Sequence, residues 1–99
     1  MNPDNIYTPN QRMLILQALY KDADYRLNTE MLQRLLRTFG HSCGIVEVNA
    51  LVGYLERRGY LSCERLENGM VIAKLTRAGQ DVAEGNVIAE GIDRPPVEE

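Results

Sequence analysis

Two groups of residues in this sequence have types and spacings suited to chemistry. The first is His41, Cys43 and Cys63. They are soft donors, and His41 and Cys43 stand one residue apart. A structural zinc centre needs four such ligands. Three are too few unless Glu64 or a second subunit completes the set, and no metal is expected. Cys43 precedes a helical stretch whose N-terminal end would stabilise a thiolate, the setting of a redox sensor. The plainer alternative makes both cysteines small buried hydrophobes, with His41 a turn residue. The single histidine has no triad arrangement around it, and no Walker or dinucleotide glycine pattern is present. The sequence predicts neither an enzyme nor a cofactor.

The second group surrounds Asn49 and Arg57. An asparagine can pair with an adenine edge, and small apolar side chains can meet a thymine methyl. Asn49 with Val46 and Ala50 therefore has the composition of a base-reading face. Gly53 beside Ala50 would permit close approach, Tyr54 lies on the same face, and Arg57 suits a phosphate. Gln33, Arg34, Arg37, Arg65 and Lys74 are further candidates for backbone contact. An ordinary solvated surface carries the same residue types. Glu47 and Glu56 flank this face and would repel phosphate, as would Glu64 and Glu67 beside Arg65.

These side chains need elements to position them. Thr8-Pro9 reads as a helix entrance, with Thr8 as cap and Pro9 in the first turn. The helix would run to about Lys21. Its apolar residues Met13, Leu14, Ile15, Leu16, Ala18, Leu19 and Tyr20 surround most of its circumference, where a small domain normally buries one stripe. Either the helix is central and covered by its own chain, or one side meets a second subunit. Asp22 to Arg26 reads as a connector. Leu32, Leu35, Leu36 and Phe39 then mark an amphipathic helix over about residues 30–39, capped by Asn28 or Thr29 and ended by Gly40. After the turn His41-Ser42-Cys43-Gly44, in which Ser42 is a candidate cap, Val48, Leu51, Val52 and Leu55 repeat the pattern over about 45–58. Two strands follow, about 60–66 and 70–75, joined through Asn68-Gly69, a strong hairpin signal. Thr76 can cap a short last helix from Arg77 to about Glu84.

Two amphipathic helices joined through a glycine-containing turn are a helix-turn-helix candidate, and a hairpin directly after the second adds a wing. Here the sequence resembles bacterial winged-helix regulators of the MarR and ArsR type. The resemblance rests on Leu51-Val52-Gly53-Tyr54-Leu55-Glu56-Arg57-Arg58-Gly59-Tyr60-Leu61, reinforced by Ala73-Lys74-Leu75-Thr76-Arg77-Ala78-Gly79. The whole chain, including Gly91-Ile92-Asp93-Arg94-Pro95, is similar to small winged-helix proteins of Mu-like phages and prophages. The resemblance implies an α+β winged helix-turn-helix over residues 9–85: a three-helix core, a two-stranded β-hairpin wing and a short C-terminal helix. Residues 1–8 would be a mobile arm and 86–99 an acidic tail with a disordered end. It also implies double-stranded DNA as partner and transcriptional regulation by operator occupancy. The alternative is a protein-interaction module of phage origin, used in assembly or packaging.

Composition fits this picture. Ninety-nine residues, 44% apolar and 25% charged, make one ordinary globular domain. No apolar run is long enough to span a bilayer. The start, MNPDNIYTPN, has neither the basic nor the apolar region of an export signal, so a cytoplasmic setting with reduced thiols is expected. Residues 1–79 hold ten Lys/Arg against eight Asp/Glu, and residues 80–99 one Arg against six acids. A mildly basic body with an acidic end is not a strong nucleic-acid footprint. A homodimer through the first helix and the C-terminal region would double the phosphate contacts.

Overall fold

The computed structural model describes residues 5–96 of the chain. Seven elements follow one another: α1 (Thr8–Lys21), β1 (Arg26–Asn28), α2 (Thr29–Thr38), α3 (Ile45–Arg57), β2 (Leu61–Arg65), β3 (Val71–Leu75) and α4 (Arg77–Ala83). The architecture is α+β, four helices and an antiparallel sheet in the order β1-β3-β2.

Helix α1 is the hub. Met13, Ile15, Leu16 and Leu19 are buried on different sides of it, and α2, α3, α4 and β3 all pack against it. Its all-round aliphatic coat is thus mostly covered by its own chain. Thr8 does not cap α1, as expected from the sequence, but is its first residue. Asn5 organises the entrance instead: its Oδ1 accepts the Tyr7 N–H at 2.8 Å, while its own N–H donates to Thr8 Oγ1 at 3.0 Å. Residues 5–7 therefore form a turn against α1, and the remainder of the expected arm, residues 1–4, lies outside the described residues.

Helix α3 buries the stripe its periodicity predicts, Val48, Leu51, Val52 and Leu55, whereas α2 buries only Leu32 and Leu36 of its expected four. Leu35 is half-buried and Phe39, just past the helix end, is exposed, because no element among the described residues packs over that side. Asn28 caps α2, its side chain accepting from the Met31 N–H at 2.8 Å. Gly44, not Ser42, stands at the N-cap of α3. It has no side chain to offer, so Glu47 reaches back and accepts the Gly44 N–H at 2.7 Å, one half of a capping box.

The sheet corrects the two-stranded expectation. Arg26, expected as the end of a connector, forms with Leu27 and Asn28 a strand that pairs with Lys74, Ala73 and Ile72 of β3. A three-residue strand is too short to show alternation, so nothing in its sequence marks it. The β2–β3 hairpin is as expected, but its loop is longer than Asn-Gly alone implies. Leu66 and Met70 close it, and Gly69, at φ +88°, donates its N–H to Leu66 O at 3.0 Å. This is a three-residue loop with glycine in the left-handed position.

Thr76 caps α4, as expected, accepting from the Gly79 N–H at 3.1 Å. The stretch after α4 returns to the body. Ala89 and Ile92 join the core, and the Asp93 N–H donates to Pro9 O at 3.2 Å. The end expected to be disordered falls partly on residues 97–99, outside the described residues.

Gly79 marks the tightest junction of helix and sheet. A Cβ there would collide with the Tyr60 carbonyl oxygen and lie 2.6 Å from Leu75 Cδ1. Gly79→Ala should therefore destabilise the protein by about 3 kcal/mol, despite alanine's better helix propensity. Thermal unfolding checks this, with the melting temperature expected to fall by about 15 °C.

Candidate nucleic-acid interface

Helix α3 turns four of its expected contact residues to solvent. Val46 is 77% exposed, and Asn49, Ala50 and Arg57 are exposed too. The opposite stripe is committed to the core, so α3 cannot roll to hide this face. The hairpin loop comes alongside: Asn49 and Ile45 share a depression of about 320 Å³ with Asn68, Gly69 and Met70. Arg34 and Arg37 on α2 and Lys74 on β3 are exposed.

The remaining four candidates are engaged within the chain. Gln33 is half-buried, and its Nε2 donates to Cys43 O at 2.9 Å, which ties α2 to the turn before α3. Gly53 is not bare: Arg57 Nη1 lies 3.3 Å from where a Cβ would stand, so the guanidinium covers the gap expected to admit a duplex. Arg65 grips Glu56 of α3 with two hydrogen bonds, Nη2 to Oε1 at 3.0 Å and Nη1 to Oε2 at 3.3 Å. The carboxylate that the sequence places as a repulsive neighbour is thereby neutralised, and the hairpin arginine is held on α3. The Arg65 hydrogen bond is the main reason the Glu56 carboxyl is pulled below its ordinary range, against a smaller opposing effect of burial.

Tyr54 departs furthest from the expectation of a groove contact. Its ring lies under the Arg12 guanidinium, 3.5 Å from the centroid, with Arg58 5.1 Å away on the same ring. Its hydroxyl donates to Glu90 O at 3.1 Å, and Arg12 Nη1 donates to Gly91 O at 3.0 Å. Gly91 adopts φ +79°, and a side chain there would meet both Tyr54 and Arg12. Tyr54 is thus a brace between α1, α3 and the returning C-terminal stretch. Arg12, only 5% exposed, is the brace's unforeseen member. A lone arginine inside an aliphatic helix was the signal available for it. Beside the brace, a cleft of about 250 Å³ between the start of α1 and α3 is lined by Gln11, Arg12, Ala50, Tyr54 and Arg57.

The soft donors do not form a centre. Among the described residues no three of His, Cys, Asp or Glu are grouped to hold a metal ion. Cys43 is buried, and burial, with a smaller contribution from Glu47, pushes its thiol up. That is opposite to the shift a thiolate sensor needs. Burial also pushes up the Cys63 thiol, with the Glu56 charge next in size. His41 joins the α2–α3 turn to α1: its ring nitrogens lie 3.2 Å from Gln11 Nε2 and 3.2 Å from Asn10 Oδ1, and its ring meets the edge of Tyr7.

Over 92 residues the chain is 33% identical to the uncharacterized protein gp26 of Escherichia phage Mu, covering 93% of this chain and 94% of that one. It is 30% identical over 77 residues to an uncharacterized protein of Haemophilus influenzae, covering 78% of this chain and 74% of the other. No protein-family model matches the chain, and no solved structure matches it.

Two measurements test this geometry. Tyr54→Ala should lower stability by about 2 kcal/mol, since a half-buried ring and its hydrogen bond are lost. Asn49→Ala, at an exposed side chain, should change stability by less than about 0.5 kcal/mol. Chemical denaturation distinguishes them. An NMR pH titration should find the Glu56 carboxyl titrating below the ordinary glutamate range, and Arg65→Ala should move it upward. Because the folded value is the lower one, the pair's contribution is complete above the unfolded glutamate pKa. It fades as pH falls through the folded one.

Proposed function

The chain belongs to the family of gp26 of Escherichia phage Mu, and for this member we propose binding of double-stranded DNA by a winged helix-turn-helix. In this reading α2 and α3 form the helix-turn-helix, and the β2–β3 hairpin is the wing. The short β1 extends the wing's sheet on the side away from β2. The supporting observation is the exposed strip Val46, Asn49 and Ala50 on a helix whose other side is fixed in the core. A recognition helix enters the major groove by such a face, its N-terminal residues nearest the base edges. Asn49 would take an adenine edge, and Val46 and Ala50 would pack on thymine methyls. Arg57 at the far end of α3, Arg34 and Arg37 on α2, and Lys74 on the wing would meet phosphates. The action would be occupancy of a site in phage or host DNA, with regulation of transcription as its consequence and no chemical step.

A second reading has its own observation. Ile45 and Val46 of α3 and Met31 of α2 are exposed hydrophobics at one end of the helix pair. Such residues suit a protein partner as well as a thymine methyl, and in that case the module would serve phage assembly.

Salt separates the two. If Arg34, Arg37, Arg57 and Lys74 each neutralise one phosphate, log K against log salt concentration should have a slope of about −3.6. Arg57→Ala should reduce that slope by about one and weaken all sequences alike. Asn49→Ala should cost about 1–3 kcal/mol on the preferred site and leave non-specific binding unchanged. Titration of genomic fragments by fluorescence anisotropy at two salt concentrations measures all three. A folded protein that binds no fragment at low salt rejects the DNA reading in favour of the protein partner.

A further inference from the structure

A groove runs between α1 and α2, away from the α3 strip. It has a volume of about 390 Å³. Leu14 and Ala18 of α1, Leu35 of α2 and Phe39 at the C-cap of α2 supply its apolar surface, and Phe39 is 58% exposed at its edge. The packing that buries Ile15, Leu16 and Leu19 of α1 leaves Leu14 and Ala18 half-buried on this side. A solvated phenylalanine beside half-buried aliphatic residues marks a surface that gains by being covered.

The charges on the groove say what would cover it. Lys21 at the end of α1 and Arg94 in the C-terminal stretch both line it, and both are exposed. Among the described residues neither takes part in an ion pair, and no carboxylate lines the groove. A second copy placed groove to groove on a two-fold axis would add two more cations and, from the groove's described residues, no carboxylate to offset their repulsion. An occupant with an aliphatic stripe and flanking carboxylates meets no such repulsion. It would place apolar anchors between Leu14 and Phe39 and its acids beside the two cations.

We propose that the α1–α2 groove is a docking site for an acidic amphipathic helix of a partner protein. The groove shares no residue with the α3 strip, so this docking stands independently of DNA binding. A chain engaged on DNA through α3 would still offer the groove, and the two activities together make an adaptor.

The test uses the full chain and two labelled peptides of about 18 residues, long enough to form a helix. One carries leucine along one face and glutamate elsewhere. The other has lysine at every glutamate position. The acidic peptide should bind with micromolar affinity, weakened by salt, and the lysine peptide at least about tenfold more weakly. Phe39→Asp should weaken the acidic peptide about tenfold. The double variant Lys21→Glu, Arg94→Glu should do the same, and it changes only solvated side chains, so folding is not in question. NMR shifts on peptide addition should centre on Leu14, Ala18 and Leu35. Equal binding of both peptides, no binding of the acidic one, or indifference to both variants would overturn the proposal. So would sedimentation showing a dimer that Phe39→Asp dissociates, since the groove would then belong to a second copy.

Discussion

A helix coated with aliphatic side chains on most of its circumference cannot be buried by a single neighbour. Leaving Met13, Ile15, Leu16 and Leu19 in water would cost about 1.5–3 kcal/mol for each large side chain. The chain meets this constraint by surrounding α1 with α2, α3, α4 and β3. The other packing decisions follow from it. Gly79 is needed because α4 approaches α1 while running directly under the Tyr60 backbone. Ala89 and Ile92 return to the core because the body still has apolar surface to cover after α4 ends.

The same constraint fixes the outward strip of α3. With Val48, Leu51, Val52 and Leu55 locked inside, Val46, Asn49 and Ala50 have no route to burial. Around them the surface is charge-balanced. Arg65 is held by Glu56, Arg26 lies 3.7 Å from Glu64, and Arg12 is sequestered over Tyr54. The cations left for an external anion are fewer than the composition suggests. A nucleic-acid contact built on this surface would draw its affinity from a handful of phosphates and its selectivity from Asn49 and the small apolar residues around it.

Legibility from sequence followed the range of the interactions. The stripe of α3, the Leu32 and Leu36 side of α2, the stop at Gly40, the Thr76 cap and the Asn68-Gly69 turn all depend on residues within a few positions of one another, and each was readable. The capping of α1 and α3 was less so. Asn5 and Glu47 do that work through local hydrogen bonds, but Thr8 and Ser42 offered equally good local chemistry. Strand β1 was not readable, because three residues carry no period and their partners lie about 46 positions further along the chain. Tyr54 sat on the expected face of α3, yet contacts from Arg12 and Glu90, far from it in sequence, turned it into a brace.

The sequence by itself determined the helical stripes, the hairpin, the thin basic balance of the body, and which side of α3 would be apolar. These are consequences of side-chain period and turn chemistry, which act along the chain. Only the tertiary structure decided which polar residues on the outer side stay available. Arg57, Arg34, Arg37 and Lys74 remain in solvent, whereas Arg65, Gln33 and Tyr54 are taken up by partners on other elements. An arginine or tyrosine forms such a contact only when folding brings a carboxylate or carbonyl within about 3 Å, and no local pattern in the sequence encodes that distance.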